Sequence, residues 1–213
     1  MSVSSRPTSS GTLTERQWVR RGELLEAARR VFERDGYHGA TVSAIVQAAG
    51  LSQGAFYLYF SDKRSVFAAL QEEMATLLRR RIYWATRDEG DAAARLEAGL
   101  TAYFEFYEEY RAWNHRLMIE GLGIDASFEA RQAELYETLA IGFRPTLLEL
   151  AVPTPELAAA ALIGLASQVA YWNHYQRARE PSMAPRALSQ ACAGLFLRGA
   201  PSASASPKGG PHA

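Results

Sequence analysis

Apolar residues recur along most of the chain at the spacing of α-helices. The first stripe predicts a helix that begins near Thr14, where Gln17 can complete a capping box, and ends near Gly36. Its inward positions are Leu24, Leu25, Ala28, Val31 and Phe32. No segment alternates between apolar and polar residues for long enough to predict a β-strand. The pattern therefore predicts an all-α protein of about nine helices.

The stretch from Thr41 to Phe60 predicts two short helices joined by a tight turn. Thr41 and Ser52 each offer a side-chain oxygen that can cap a helix N-terminus. Gly50 can adopt the left-handed conformation that closes the first helix. This spacing is typical of a helix-turn-helix, whose second helix enters the DNA major groove.

Beyond this motif, Ser61 and Asp62 cap a long helix whose apolar period continues to Ile82 and which should join two domains. The segment from Asp88 to Asp91 interrupts the pattern. Five further helices are predicted near 96–110, 113–118, 127–150, 155–175 and 188–199. Pro145 should kink or end the third of these because it removes a helix hydrogen bond.

Length and composition predict one small domain and one larger domain in 213 residues. Residues 1–12 are rich in Ser, Thr, Pro and Gly and predict a disordered arm. We expect a helix-turn-helix domain at 13–60 and a larger α-helical domain at 61–199. The segment 200–213 is rich in Ser, Pro and Gly and predicts a disordered tail.

Charge is distributed unevenly although the formal net charge is zero. Residues 1–64 contain nine Lys and Arg against six acidic residues, whereas 65–213 contain fourteen against seventeen. The basic excess lies at the motif end, as phosphate binding requires, but it is too small to establish DNA binding alone.

Cys192 is the only cysteine, which excludes an intramolecular disulfide and favours a small buried hydrophobe. The N-terminus lacks the apolar segment of a secretory signal. The longest apolar run, Leu157–Ala166, is about half of a membrane span. We therefore expect a cytoplasmic protein with no membrane partner.

The run from Leu24 to Leu70 resembles the DNA-binding domain of the TetR family of transcriptional regulators. The residues that carry the resemblance are Ala27-Ala28, Val31-Phe32, Gly36-Tyr37, Thr41-Val42, Ile45, Ala48–Ser52, Gly54, Phe56–Phe60 and Asp62-Lys63. Three positions depart from the residues that are usual in the family. Val46 stands where Ala is usual, Gln53 where Lys or Arg is common, and Tyr59 where His is common. The last two departures fall on the DNA-facing surface and leave the operator sequence open.

Ser52, Gln53 and Gly54 lie at the N-terminal end of the second motif helix, the end that should contact the major groove. Gln53 carries the donor and acceptor that suit adenine, and Gly54 allows the backbone to approach a phosphate. The resemblance implies a base contact by Gln53 and phosphate contacts by Thr41, Tyr57, Tyr59 and Lys63. The alternative for Tyr57 is a half-buried packing aromatic.

Aromatic residues are dense in the larger domain, a pattern that by itself favours simple core. The resemblance instead implies a pocket for a small, uncharged or weakly charged apolar molecule. Its expected lining is Tyr103, Phe106, Tyr107, Trp113, Met118, Phe143 and Trp172. His115 and His174 have no ligand partner at metal-binding spacing, so we expect polar packing, no metal and no cofactor.

The last helices carry small and apolar residues suited to helix association. The resemblance implies a homodimer joined by a four-helix bundle, although an intramolecular core stays open as an alternative. The candidate interface residues are Ala161, Leu162, Leu165, Leu188 and Leu195. A dimer would place two recognition helices about 34–36 Å apart on palindromic double-stranded DNA.

These features predict a ligand-responsive transcriptional repressor that a small apolar effector releases from DNA. An activator of the same family is one alternative. A scaffolding α-bundle without DNA binding is another, but it leaves the basic N-terminal third and the Gly turn unexplained. An enzyme is not favoured, since no nucleophile–base pair, phosphate loop or pair of acids on one face stands out.

Overall fold

A computed structural model describes residues 14–120, 126–176 and 181–199, without the side chains of 117–120. Within these ranges the secondary structure is helical and contains no strand, which confirms the all-α prediction. The nine α-helices described are α1 (Glu15–Gly39), α2 (Val42–Ala49), α3 (Gln53–Tyr57), α4 (Lys63–Thr86), α5 (Ala92–Glu109), α6 (Arg111–Glu120), α7 (Ala126–Glu149), α8 (Pro155–Tyr171) and α9 (Pro185–Gly199). The predicted arm and tail lie outside the described residues.

The chain divides into two compact units, Met1–Leu70 and Gln71–Ala213. The division falls inside α4, whereas the sequence suggested a domain boundary at residue 60, just before that helix begins. None of the described helices is long and apolar enough to cross a membrane.

The first unit is organised around α1. Thr14 and Gln17 form the predicted capping box: the Thr14 amide donates to Gln17 Oε1 at 2.8 Å, and the Gln17 amide donates to Thr14 Oγ1 at 3.4 Å. Gly36 has a φ of 70°, so the helix breaks where the sequence predicted its end, but one more turn reaches Gly39. The core of this unit joins α1 to the next three helices through Leu24, Leu25, Val31, Phe32, Ile45, Phe56, Phe60, Val66 and Phe67.

The second unit contains the rest of α4 and the helices α5 to α9. Helix α5 packs against α9, and α7 packs against α8. Gly99 brings α5 close to α7, because a Cβ at this position would lie 2.7 Å from Cε1 of Phe143. The most deeply buried large side chains are Leu96, Leu100, Phe104, Trp113, Phe128, Leu147 and Leu162.

Helix α7 ends at Glu149, close to the predicted end at residue 150, whereas α8 ends earlier than predicted. Pro145 lies inside α7 without ending it; the carbonyl that Pro145 frees belongs to Ile141, a residue 60% exposed to solvent. Helix α8 ends at Tyr171 and continues as a π-helical turn over Trp172–Gln176. Asn173 in that turn holds the segment before α9 through both backbone groups of Met183, at 2.8 and 3.2 Å.

Candidate nucleic-acid interface and ligand cavity

Helices α2 and α3 are shaped by hydrogen bonds that the sequence predicts. Thr41 Oγ1 accepts from the Ala44 amide at 3.1 Å, and Ser52 Oγ accepts from the Ala55 amide at 3.2 Å. Gly50 is left-handed, with φ 66° and ψ 29°. The motif is therefore a helix, a left-handed glycine turn and a second capped helix.

The α3 segment buries one side and exposes the other. Phe56 is fully buried and Phe60 is 5% exposed, whereas Tyr57 is 57% exposed. Ser52, Gln53 and Gly54 are also exposed. Tyr57 is thus more exposed than the packing alternative expects, and Tyr59 is the half-buried tyrosine. We call Ser52, Gln53, Gly54 and Tyr57 the α3 face.

Lys63 lies in a setting that the sequence does not indicate. Its ammonium donates to the carbonyls of Tyr37 at 2.7 Å, Ala40 at 2.9 Å and His38 at 3.3 Å. It also lies 4.7 Å from the Tyr37 ring centroid. An ammonium has three donors, so all three are engaged by the end of α1. This geometry favours a structural role for Lys63 over the expected phosphate contact.

Most of the positive charge on α1 is neutralised within the helix. Arg29 contacts Glu26 at 2.7 Å and Glu33 at 2.6 Å, and Arg20 contacts Glu23 at 2.8 Å. The hydrogen bond from Arg29, strengthened by its charge, holds the pKa of Glu26 below its usual value despite partial burial. The outer face of α1 is thus largely a set of ion pairs.

Arg21 is placed differently. Its guanidinium lies 5.7 Å from the Trp18 ring and 5.4 Å from the ring of Phe60, the core residue just beyond α3. It forms no ion pair within the part of the chain that the structure describes. The positive charge of Arg21 therefore lies beside the motif, with no neutralising acid among the described residues.

The second unit contains a cavity of about 70 Å³. Four predicted pocket residues line it together: Tyr103, Phe106, Tyr107 and Trp113. The other apolar walls come from Met74, Ala75 and Leu78 of α4 and from Leu135 and Leu139 of α7. The sequence thus indicated the α5 and α6 side of the cavity and missed the α4 and α7 sides.

Two expected pocket residues that the structure describes, Phe143 and Trp172, are not among its walls. Phe143 is buried against Gly99, and Trp172 is 41% exposed on the π-helical turn. The Met118 side chain lies outside the described residues. Phe143 therefore occupies a packing position and Trp172 a surface position.

The cavity also has polar walls that the aromatic pattern did not predict. Gln71, Asn114, Gln132 and Ser167 line it, and Glu72, Arg79, Arg131 and Glu134 carry the charges at its edge. The Tyr103 hydroxyl bonds Ser167 Oγ at 2.9 Å. Burial raises the pKa of both Tyr103 and Tyr107, so both phenols stay neutral. Gln71 was detectable in the sequence, because it interrupts the apolar stripe of Phe67, Met74 and Leu78.

The two histidines in question pack against tyrosine rings. His115 stacks on Tyr175 with the ring centroids 4.1 Å apart, and His174 stacks on Tyr107 with the ring centroids 5.7 Å apart. Burial lowers the pKa of His174. Among the described residues, no group of three or more His, Cys, Asp and Glu could hold a metal ion.

The expected interface residues separate into two groups. Leu162 and Leu188 are 0% and 3% exposed and belong to the core of the chain itself. Leu195 is 64% exposed and Ala161 is also exposed, while Leu165 is intermediate. The exposed apolar stripe of α8 runs through Leu157, Ala161 and Gly164 and continues to Trp172 of the π-helical turn. Only part of the predicted set is available to a partner.

Comparison with known proteins identifies the first unit. Residues 24–70 match the model of the bacterial regulatory proteins of the tetR family. The repressor AcnR of Corynebacterium diphtheriae is 49% identical over 57 residues, which are 27% of this chain and 30% of AcnR. The activator FasR of Mycolicibacterium smegmatis is 36% identical over 101 residues, 47% of this chain and 46% of FasR. The matches thus span less than half the length of these relatives.

Solved structures share the fold of both units. The fatty acid degradation regulator FadR from Bacillus halodurans has a TM-score of 0.73 at 21% identity and covers 89% of this chain and 98% of its own. FadR from Bacillus subtilis, solved with stearoyl-CoA, has a TM-score of 0.70 at 20% identity and covers 84% of this chain and 98% of its own. At these identities the likeness concerns the fold alone. With its capped helix-turn-helix and the match over residues 24–70, the first unit is the DNA-binding domain of the tetR family of bacterial regulatory proteins.

Proposed function

We propose that this protein is a transcriptional repressor that binds a palindromic operator as a homodimer and is released by a small molecule in the second unit. The observation that carries the proposal is the α3 face, in which polar side chains and a glycine are exposed beside a buried Phe56. A capped helix in this setting is the element that enters the major groove in helix-turn-helix proteins.

On the α3 face, Gln53 is the candidate for sequence recognition because its amide can pair with adenine N6 and N7. Tyr57, Tyr59 and the hydroxyls of Thr41 and Ser52 are candidates for phosphate contacts, which position a protein without reading sequence. Gly54 would let the backbone approach the duplex. Arg21 supplies additional positive charge next to Phe60.

Repression is favoured over activation because occupying an operator requires only the DNA-binding surface and a dimer. The relatives include both classes, since AcnR is named a repressor and FasR an activator. Dimerisation would use the exposed stripe of α8, which includes Ala161, together with the half-buried Leu165 and the exposed Leu195. Such a dimer would present two copies of α3 to two half-sites.

The effector would bind the cavity of the second unit. A ligand releases DNA only if it binds the non-DNA conformation more tightly than the DNA-bound one. The stearoyl-CoA complex of one structural neighbour makes a long acyl ligand a second candidate. The cavity of about 70 Å³ does not favour it, because ligand pockets usually measure about 300–1,000 Å³.

The test uses fluorescence anisotropy with DNA from upstream of the protein's own gene and compares Gly54→Ala with Gly50→Ala. At Gly54 a Cβ would lie 3.8 Å from Ser52 Oγ, an ordinary contact, so the variant should fold as well as the native chain. We expect it to bind DNA at least about tenfold more weakly, since a lost charge-assisted hydrogen bond is worth about 1.5–3 kcal/mol.

Gly50→Ala is the matched control because it places Ala at a φ of 66° in open space. It should lower the free energy of unfolding by about 1–2 kcal/mol, the cost of the left-handed region for residues with a Cβ. Unchanged DNA affinity of Gly54→Ala, or a native chain that is monomeric at micromolar concentration and shows no salt-sensitive preference for duplex DNA, would contradict the proposal.

A further inference from the structure

Two buried polar atoms in the wall of the second-unit cavity have no hydrogen-bond partner among the described residues. They are the carbonyl oxygen Oε1 of Gln71 and the amide nitrogen Nδ2 of Asn114. Both residues line the cavity, and Gln71 is only 8% exposed. One atom is a hydrogen-bond acceptor and the other is a donor.

Other polar groups of the cavity already have partners. Tyr103 bonds Ser167 at 2.9 Å, and Gln132 Nε2 donates to the Tyr136 hydroxyl at 3.3 Å. Buried polar groups are nearly always hydrogen-bonded, because an unmet donor or acceptor loses its bond to water without replacement. Gln71 and Asn114 are therefore the groups that a molecule in the cavity would satisfy.

The charge distribution indicates an uncharged molecule. The buried phenols of Tyr103 and Tyr107 stay neutral because burial raises their pKa. The four ionised residues that border the cavity, Glu72, Arg79, Arg131 and Glu134, carry two charges of each sign. Arg79 is already paired with Glu72 at 3.0 Å. A charged head group would lose its hydration without gaining a buried counter-charge.

We propose that this cavity recognises an uncharged head group that carries both a donor and an acceptor, with a carboxamide as the simplest class. The amide N–H would donate to Gln71 Oε1, and the amide carbonyl would accept from Asn114 Nδ2. The apolar part would lie against Phe106 and Trp113. This inference rests on the proposed function of the cavity as an effector site.

The size of the cavity suits a head group and a short apolar body. A space of about 70 Å³ is large enough for several waters, whereas an engineered cavity of about 150 Å³ is known to hold benzene. Glu72, Arg131 and Glu134 are exposed at its edge, so a longer body would extend toward them. Ordered water is the competing occupant.

The experiment titrates the full-length protein with butanamide, 2-pentanone and butanoate, using ligand-observed NMR. The first two have nearly the same shape, but the ketone lacks the N–H donor, and butanoate is charged. We expect butanamide to bind at least about fivefold more tightly than either, because a site with an unmet polar group rejects the analogue that cannot satisfy it.

Two variants identify the residues. Gln71→Met keeps the side-chain length and removes the acceptor, so the preference for butanamide over 2-pentanone should vanish. Asn114→Leu removes the donor and should weaken both carbonyl compounds. Gln132→Met is the matched control, since Gln132 lines the same cavity but bonds Tyr136. The Gln132→Met variant should leave the ratio of the butanamide and 2-pentanone affinities unchanged.

Equal affinity for butanamide and 2-pentanone in the native protein would overturn the inference, as would a preference that survives Gln71→Met. A crystal structure grown with butanamide that shows only water between Gln71 and Asn114 would also overturn it. Both the native ratio and this structure are measured without any variant, so a folding defect cannot obscure them.

Operator affinity is measured on the same samples. Amide selectivity without any DNA binding would uphold the head-group inference and reject the proposed regulator. DNA binding without amide selectivity would reject the inference alone. Selective amide binding that leaves operator affinity unchanged would support the recognition and reject butanamide as a releasing ligand.

Discussion

Replacing Lys63 with Met removes the ammonium that caps the end of α1 and keeps most of the side chain's apolar length. The carbonyls of Tyr37, Ala40 and His38 then lose a charged donor. The bonds to Tyr37 and Ala40 are partly buried, whereas the bond to His38 is exposed. The variant should therefore destabilise the first unit.

The size of the effect follows from these three bonds. A hydrogen bond to a charged group contributes about 1.5–3 kcal/mol, and exposure reduces this contribution. Counting mainly the two partly buried bonds, we expect the free energy of unfolding to fall by about 2–3 kcal/mol. With a urea dependence of about 2 kcal/mol per molar, the midpoint should fall by about 1–1.5 M.

The assay is urea unfolding of the full-length variant followed by circular dichroism, with Arg16→Met as the control. Arg16 is an exposed cation of the same unit and forms no ion pair within the described ranges. Its removal should leave the midpoint almost unchanged. The salt dependence of operator binding is measured in parallel, under conditions where each variant is folded.

The refuting result is specific. If Lys63 is a phosphate contact, as the family resemblance implies, Lys63→Met should leave the urea midpoint unchanged and reduce the salt slope of DNA binding by about one. That pair of results would reject the structural role. A lower midpoint with an unchanged slope would support it.

Three further predictions test packing and recognition. Gly99→Ala should lower the free energy of unfolding by about 1–3 kcal/mol, because its Cβ would meet Phe143 at 2.7 Å; calorimetry of the variant would contradict the packing if the melting temperature did not fall. Tyr103→Phe should cost about 1–2 kcal/mol, since it leaves the Ser167 hydroxyl without its buried partner; equal urea midpoints would count against that bond. Gln53→Ala should change base preference at one position per half-site by about 1–3 kcal/mol, measured on operator variants; a uniform loss at every variant would instead indicate a phosphate contact.

The helix boundaries of the first unit could be predicted from the sequence because their causes are local. Thr14 and Gln17, Thr41 and Ala44, and Ser52 and Ala55 bond across three residues. The sequence near each cap therefore contains both partners. In the second unit, Asp91, which the sequence placed in the interruption before α5, caps that helix by accepting from the Ala94 amide at 2.8 Å.

The candidate sites were predicted only in part, because a helical stripe does not show which neighbour each residue meets. The aromatic cluster correctly indicated the wall formed by Tyr103, Phe106, Tyr107 and Trp113. It could not separate these residues from Phe143, which fills the space above Gly99. Nor could it show that Leu162 and Leu188 are buried in the chain's own core.

By itself, the sequence determined the helical class, the capped helix-turn-helix and the family of the N-terminal unit, since periodicity and caps act over a few residues. Only the tertiary structure decided what Lys63, Gln71 and Asn114 face. Lys63 meets carbonyls 23 to 26 positions earlier in the chain. Gln71 and Asn114 come from α4 and α6 to one cavity. These contacts depend on how the helices pack, and the spacing of residues within one helix does not show which other helices it contacts.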